Sequence, residues 1–329
     1  MNTNVSVLVT GASGCVGSAV LARLLRDGHI VRAATHRARP ASEDEAVVGH
    51  TFNLALDNDW GAALEGVTSI VHCAARVHVV RESAMDPLAE FRRVNVTGTL
   101  NLAQQAVAAG IRRFIFISSI GVNGAETCGK GFTTEDIPAP QSPYAVSKHE
   151  AEQGLWKIAR DTGLEVVVVR PPLVYGPRVK GNFLRLLRLS ASGLPLPLGS
   201  VSGLRSLVSV WNLCDLIARC LHHPAAAGGT FLAGDDNDIT VPNLVQALAA
   251  SMGRPCRLFP APPALVRVVA MALGRGITFD KLTASLQVDI SETKRILDWE
   301  PPLPLAEGLA RTARWYARTA LVKGTTRTA

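Results

Sequence analysis

In SPYAVSKHE (142–150) a tyrosine and a lysine stand four residues apart, and Ser118 and Ser119 close the apolar run RFIFISS (113–119) upstream of them. Ser142 suits a helix N-cap and Pro143 the first helical position, so Tyr144 and Lys148 fall one turn apart on the opening turns of a helix. A phenol with an ordinary pKa of about 10 is a poor proton carrier at neutral pH. An ammonium one turn away and a helix N-terminus both favour its ionised form, so the spacing predicts an acid–base pair with Lys148 tuning Tyr144. The same spacing also occurs on ordinary exposed helices, and the serines decide between the two. A hydroxyl at the C-terminal end of a strand stands where ligands bind in an open α/β sheet, within reach of a substrate oxygen.

These residues need a scaffold, and the first half supplies its pattern. Short β-branched runs at 5–10, 29–35, 68–75, 113–119 and 165–172 alternate with amphipathic stretches at 15–27, 88–109 and 143–162. Such alternation predicts a doubly wound α/β domain with a parallel sheet, over residues 1–172. From residue 173 to 329, proline and glycine punctuate GLPLPLGSVSG, GRPCRLFPAPP and DWEPPLPLAEG, the texture of a smaller, partly interleaved α/β substrate-binding domain. Within it 205–222 is a candidate return to the first domain, with SLVSVW (206–211) as a strand of the first sheet.

The first strand runs into TGASGCVG, which sets Gly11, Gly14 and Gly17 between a strand and a helix. Glycines there permit a tight turn and close approach to a pyrophosphate held at the helix N-terminus. The spacing is GxxGxxG, not GxGxxG, but its place after a strand and before a helix is what a dinucleotide site requires. The second strand ends in RAATHRAR, with Thr35 where an acid would hold the ribose hydroxyls of NAD and Arg37 placed to meet a 2′-phosphate. NADP(H) is therefore expected ahead of NAD(H). The alternative is that Arg32, Arg37 and Arg39 form a solvated basic edge.

Composition excludes other classes. The net charge of +7 comes from scattered arginines, and aromatics make up 5% of the chain, so no basic stripe with stacking residues predicts nucleic-acid binding. The 6 cysteines lack metal-ligand spacing, which predicts reduced thiols and no metal site. The run 264–273 is interrupted by Arg267, too short for a membrane span, and reads as a buried or partly exposed helix. With no signal-peptide pattern at the N-terminus, a cytoplasmic location is expected.

TGASGCVG, HCAA (72–75), NVTGTLNL (95–102), FISSIGVNG (116–124), YAVSK, RPPLVYGP (170–177) and RSLVSVWNLCDL (205–216) together resemble the extended short-chain dehydrogenases/reductases. Within them the chain is similar to the NAD-dependent epimerase/dehydratase group, which acts on nucleotide sugars. The resemblance implies Tyr144 as acid–base, Lys148 as its tuner and a ligand of the nicotinamide ribose, and Ser119 as the hydroxyl that positions the substrate carbonyl. It implies cofactor contacts at Gly11, Gly14, Cys15, Val16, Gly17, Asn53, Leu54, Ala74, Ala75 and Pro171, and a strut at Asn95. Where sugar dehydratases of this family carry Asp and Glu after the catalytic hydroxyl, this chain has Ile120 and Gly121, so dehydration lacks its groups. Asn123 and Leu173 also depart from the family's usual tyrosine and asparagine, which leaves the sugar-facing contacts open.

The segments 205–216 and 285–302 are similar to bacterial 4-ketoreductases of UDP-linked deoxy amino sugars, which implies a diphosphate ligand in Arg205 with Asn182 nearby. The plain alternatives are that Arg205 pairs with an acid such as Asp215 and that Asn182 caps a helix. The leading expectation is thus a homodimeric reductase of a UDP-4-keto sugar. A UDP-sugar 4-epimerase with tightly held NAD is the nearest alternative, and a non-catalytic NADP-binding regulator a third.

Overall fold

The computed structural model describes residues 5–36, 47–55, 58–77, 86–272, 279 and 283–325. Six strands, β1 (Ser6–Thr10), β2 (Ile30–Thr35), β3 (Val47–Thr51), β4 (Ser69–His72), β5 (Arg113–Ile117) and β6 (Glu165–Arg170), lie parallel in the order β6-β5-β4-β1-β2-β3. Thr10 of β1 is thereby flanked by Ala34 of β2 and His72 of β4. The chain reverses its direction of winding between β1 and β4, which opens a crevice at the strands' C-terminal ends.

Alternate residues of each strand face opposite ways, and both faces are apolar. On one face Val7, Val9, Val71, Ile115 and Val167 pack with α1 (Cys15–Arg26). On the other Leu8, Ile70, Phe114, Phe116 and Val166 pack with the small helix α2 (Gly61–Leu64) and with α4 (Gly98–Ala108) and α5 (Pro143–Thr162), α3 (Pro87–Phe91) preceding α4 in the chain. α5 is closed at both ends. The Ser142 hydroxyl accepts from the Ala145 N–H, and Gly163, at φ 78°, ends the helix in the left-handed conformation.

The helix expected at 88–109 runs without interruption from Pro87 to Ala108, but with a change of winding inside it. Between α3 and α4, residues Arg92–Thr97 form a π-helical turn. Its wider spacing turns Asn95 inward, where Nδ2 donates to Ser147 Oγ (3.0 Å) and to the Arg76 carbonyl (3.2 Å), while Oδ1 accepts from the Arg76 N–H (2.8 Å). Ser147 Oγ donates in turn to the Tyr144 carbonyl (2.8 Å), so Asn95 braces the first turn of α5.

In the second half β7 (Leu173–Tyr175) pairs with β10 (Leu207–Ser209), β8 (Pro195–Leu196) with β13 (Arg257–Leu258), and β9 (Leu204–Arg205) with β12 (Ile239–Thr240). The strand within 206–211 therefore joins β7, not the main sheet, which corrects the sequence expectation. What reaches the main sheet is α7 (Val210–His222), whose Leu213, Ile217 and Leu221 enter the core beside α1. β11 (Thr230–Leu232) then extends the sheet beyond β6. A separate core gathers Tyr175, Phe183, Leu187, Leu198, Val241 and Leu244 from β7, α6 (Gly181–Ala191), α8 (Val241–Ser251) and the loops between them. Among the described residues no helix is long and apolar enough to cross a membrane, and no cluster of metal-ligating side chains occurs.

Candidate active site

The glycine turn closes on itself and on β4. Gly11 has φ 66°, and a Cβ there would lie 2.8 Å from the Ala74 backbone, so the turn rests directly on the end of β4. A Cβ on Gly17 would lie 2.2 Å from the Gly11 carbonyl oxygen, which fixes how closely α1 approaches the turn. Gly14 precedes α1 without any side-chain cap, leaving the positive end of a twelve-residue helix open at the crevice. A glycine cradle and an uncapped helix N-terminus fit a dinucleotide pyrophosphate. Cys15 and Val16 follow on the first turn of α1. The Cys15 thiol, pushed up to about 11 by burial, donates to the Pro177 carbonyl (3.3 Å) and so ties the turn to the second half.

Of the other residues expected to hold the cofactor, Ala74 and Ala75 follow β4, and the Ala74 N–H donates to Thr10 Oγ1 (3.2 Å). Pro171 follows β6, and its carbonyl accepts from the Ile120 N–H (3.0 Å). Asn53 and Leu54 follow β3. The Asn53 side-chain oxygen is engaged by the Ala55 N–H (3.1 Å), and the Leu54 carbonyl lies against Gly98. Thr35 is buried at the end of β2, while Arg37 lies outside the described residues. Arg32, within β2, donates to the Ala62 carbonyl (2.8 Å).

Ser119 follows β5 and caps the short turn Ile120–Val122, its Oγ accepting from the Gly121 N–H (3.1 Å). That bond leaves the hydroxyl proton available to a substrate oxygen. A Cβ on Gly121 would lie 3.3 Å from both Ser119 Oγ and Ala145 Cβ, so the serine and the first turn of α5 flank one glycine. Tyr144 is partly exposed beside it, its ring edge-on to Phe91 at 6.1 Å. Lys148, 1% exposed, places Nζ 3.8 Å above the Phe116 ring. The structure thus brings Ser119, Tyr144 and Lys148 to the C-terminal ends of β4 and β5, beside the glycine turn.

The electrostatics differ from the sequence expectation. Burial pushes the Lys148 ammonium down to about 7, against the opposing pull of Glu152 and Cys73. Burial pushes Tyr144 up to about 12. Desolvation disfavours the charged form of each, completely around Lys148 and in part around the partly exposed Tyr144, and it prevails over the attraction the spacing suggests.

Several residues here carried no assigned role in the sequence. His72, fully buried, sits between Thr10 Oγ1 (2.7 Å) and Thr99 Oγ1 (3.0 Å), and burial, reinforced by the Lys148 charge, pushes it down to about 3. It is a neutral spacer. Asn123, at a position where the family has tyrosine, is buried, donating to the Thr133 carbonyl (2.8 Å) and accepting from Arg170 (2.9 Å). Tyr175, the tyrosine of RPPLVYGP, is fully buried and donates to Asp235 (2.6 Å), with its pKa driven further up by burial and that carboxylate, so it is no rival to Tyr144.

The two expected substrate residues lie in the second half. Asn182 is exposed in the first turn of α6, where Lys180 is the N-cap, so Asn182 does not cap this helix. Arg205 on β9 donates to the Ala284 carbonyl (2.9 Å). The alternative pairing with Asp215 does not form. Asp215 instead binds Arg23 (2.6 Å) and the Trp299 indole (2.9 Å).

Comparison with known proteins places these features in context. A family model described as the NAD dependent epimerase/dehydratase family matches residues 7–234. The chain is 43% identical to the UDP-glucose 4-epimerase of Vibrio cholerae over 314 residues, which is 94% of this chain and 95% of that protein. The structure of Thermus thermophilus UDP-glucose 4-epimerase in complex with NAD is similar at a TM-score of 0.76 and 25% identity, covering 94% of this chain and 98% of that one. MoeE5 in complex with UDP-glucuronic acid and NAD is similar at 0.77 and 26% identity, covering 95% and 99%.

Proposed function

This chain belongs to the NAD-dependent epimerase/dehydratase family, and on that premise we propose that it is a UDP-sugar 4-epimerase working with retained NAD. The observation that carries the reading is the 43% identity to a UDP-glucose 4-epimerase along nearly the whole chain, in a chain that keeps Ser119, Tyr144 and Lys148 and lacks acids after Ser119. It takes precedence over reduction of a 4-keto sugar, the leading expectation from sequence. NAD takes precedence over NADP(H) because the similar structures at 25% and 26% identity hold NAD.

The glycine turn, the first turn of α1, Ala74, Ala75 and Pro171 hold the dinucleotide in this reading. NAD, when bound, would supply a reversible hydride acceptor for the sugar C4. Tyr144 takes the proton of the C4 hydroxyl, and Ser119 donates to the same oxygen, favouring the ketone that forms. With the other face of the 4-keto sugar presented, Tyr144 would return the proton to O4 as the hydride taken from C4 is restored to that carbon, so the configuration would invert with no net redox change. Lys148 holds the ribose and adds positive charge beneath the phenol. Asn182 and Arg205 contact the nucleotide diphosphate from the second half. The protein acts in the cytoplasm as a homodimer.

The test is to purify the protein without added nucleotide, identify what denaturation releases, and incubate it with UDP-glucose or UDP-N-acetylglucosamine. Released NAD and formation of the galacto epimer without consumption of free NADPH are expected. Stoichiometric oxidation of NADPH by a UDP-4-keto sugar, with no epimer formed, would restore the reductase.

A further inference from the structure

One turn beyond Lys148 on α5, the Glu152 carboxylate is 2% exposed and is gripped by Arg170 at the end of β6 through two bonds, Nε to Oε1 (3.0 Å) and Nη2 to Oε2 (2.6 Å). Ser118, adjacent to Ser119, donates to the same Oε1. Arg170 Nη1 donates to Asn123, which is anchored to the Thr133 carbonyl. The network thus joins β5 at the catalytic serine, β6 at Pro171 and α5 beneath the Tyr144–Lys148 pair.

A buried ion pair is a poor source of stability, because desolvating two charges consumes most of their attraction, and apolar replacements of equal volume are often neutral or better. This pair stands where its charge has another use. Tyr144, Lys148 and Glu152 follow at intervals of four along one face of α5. Tyr144 and Glu152 stand one turn to either side of Lys148 on its own helix, and the groups packed around its ammonium include His72 of β4, Cys73 just beyond that strand and Phe116 of β5, with Arg170 of β6 behind the carboxylate. His72 stays neutral, and burial holds the Cys73 thiol up at about 12. Glu152 remains as the carboxylate whose charge favours the ammonium against burial.

We propose that Glu152 is a positioning residue that sets the charge of Lys148, and that Arg170 limits how strongly it does so while clamping the strand that carries Ser119. Removing the carboxylate lowers the pH at which Lys148 loses its proton. Removing Arg170 leaves the carboxylate's charge uncompensated and raises that pH. A purely structural pair has no reason to move the titration in opposite directions.

The inference rests on reading Tyr144 and Lys148 as the acid–base pair, so its primary test uses no substrate. The protein is prepared with carbon-13-labelled lysine, with the Lys148 resonance assigned by its loss in Lys148→Met, and titrated by NMR as wild type, Glu152→Gln and Arg170→Gln. The Lys148 midpoint is expected to fall by about one pH unit in Glu152→Gln and to rise in Arg170→Gln. The alkaline limb of epimerase activity should move with it. Should Glu152→Gln not fold, the double variant Glu152→Gln/Arg170→Gln, which removes both charges together, should give a smaller fall. A Lys148 midpoint unchanged from wild type in the folded variants, or displaced in the same direction by both single substitutions, overturns the proposal. Opposite displacements without any epimerase activity would preserve it and reject the assigned reaction instead.

Discussion

The tightest contact in the glycine turn sets up a graded experiment. At Gly17 an alanine Cβ would stand 2.2 Å from the Gly11 carbonyl oxygen, 2.7 Å from the Gly11 carbonyl carbon and 3.1 Å from Ala12 Cα, all backbone atoms. Ordinary contact begins at 3.4 Å, so turn and helix must separate by 3.4 − 2.2 = 1.2 Å, whereas Gly14→Ala requires only 3.4 − 3.1 = 0.3 Å against one oxygen. Overpacking of this kind costs about 1–3 kcal/mol, and the larger displacement belongs at the upper end. Alanine's better helix propensity, about 1 kcal/mol over glycine, offsets part of it, leaving a net loss of roughly 2 kcal/mol for Gly17→Ala. The same shift displaces the open N-terminus of α1, so NAD affinity should fall by about 100-fold, equivalent to roughly 2.7 kcal/mol. Gly14→Ala should lose less than about 1 kcal/mol and bind NAD within about fivefold of wild type. Thermal unfolding of stripped protein and calorimetric titration with NAD measure both quantities. Equal losses in the two variants, or a Gly17→Ala protein that binds NAD normally, would refute the close-approach argument.

Three further outcomes follow from the site. Tyr144→Phe should lower turnover by at least about 100-fold while NAD stays bound, as read by epimerisation rate and by nucleotide released on denaturation; an active variant would remove Tyr144 from its role. Lys148 is a base whose folded pKa, about 7, lies below its ordinary 10.5. Its burial therefore costs stability most at or below pH 7, and the cost fades as pH rises through 10.5. Lys148→Met should be inactive yet roughly 2–4 kcal/mol more stable in urea at neutral pH, with the gain shrinking at high pH; a less stable variant at pH 7 would contradict this. His72 is held neutral with a pKa of about 3, below its ordinary 6.5, so its contribution is complete above 6.5 and drains as pH falls toward 3. The slope approaches about 1.4 kcal/mol per unit, and His72→Asn should lose stability less steeply over that window; identical slopes would show that His72 does not titrate on unfolding.

Much of this was legible in the sequence, for reasons that are local. Alternating β-branched runs such as VSVLVT and EVVVVR specify parallel strands buried on both faces, and Ser142-Pro143 marks the start of α5 by residue type alone. TGASGCVG specifies its turn because Gly11 and Gly17 meet backbone on contact, a constraint only glycine relieves. Departures arise where distant residues decide. The π-helical turn carries Asn95, whose partners Ser147 and Arg76 are invisible to helical periodicity. Leu207–Ser209 has the composition of a main-sheet strand but finds β7. Asp215 was a plausible partner for Arg205 by charge alone, yet α7 carries it to Arg23 and Trp299. The attraction between Tyr144 and Lys148 was read from spacing, whereas burial, a tertiary property, dominates both groups. Glu152 and Arg170 lie 18 residues apart in different elements, and only the fold makes them a pair.

The central claim is that one crevice removes and returns the same hydrogen at C4 while Tyr144 handles only the hydroxyl proton. It is tested most directly by giving the purified protein UDP-glucose deuterated at C4, in ordinary water and without added nucleotide, and locating the label in the UDP-galactose formed. The account predicts deuterium retained at C4 of the epimer. Label washed into solvent, or epimer formed with hydrogen at C4, would contradict it.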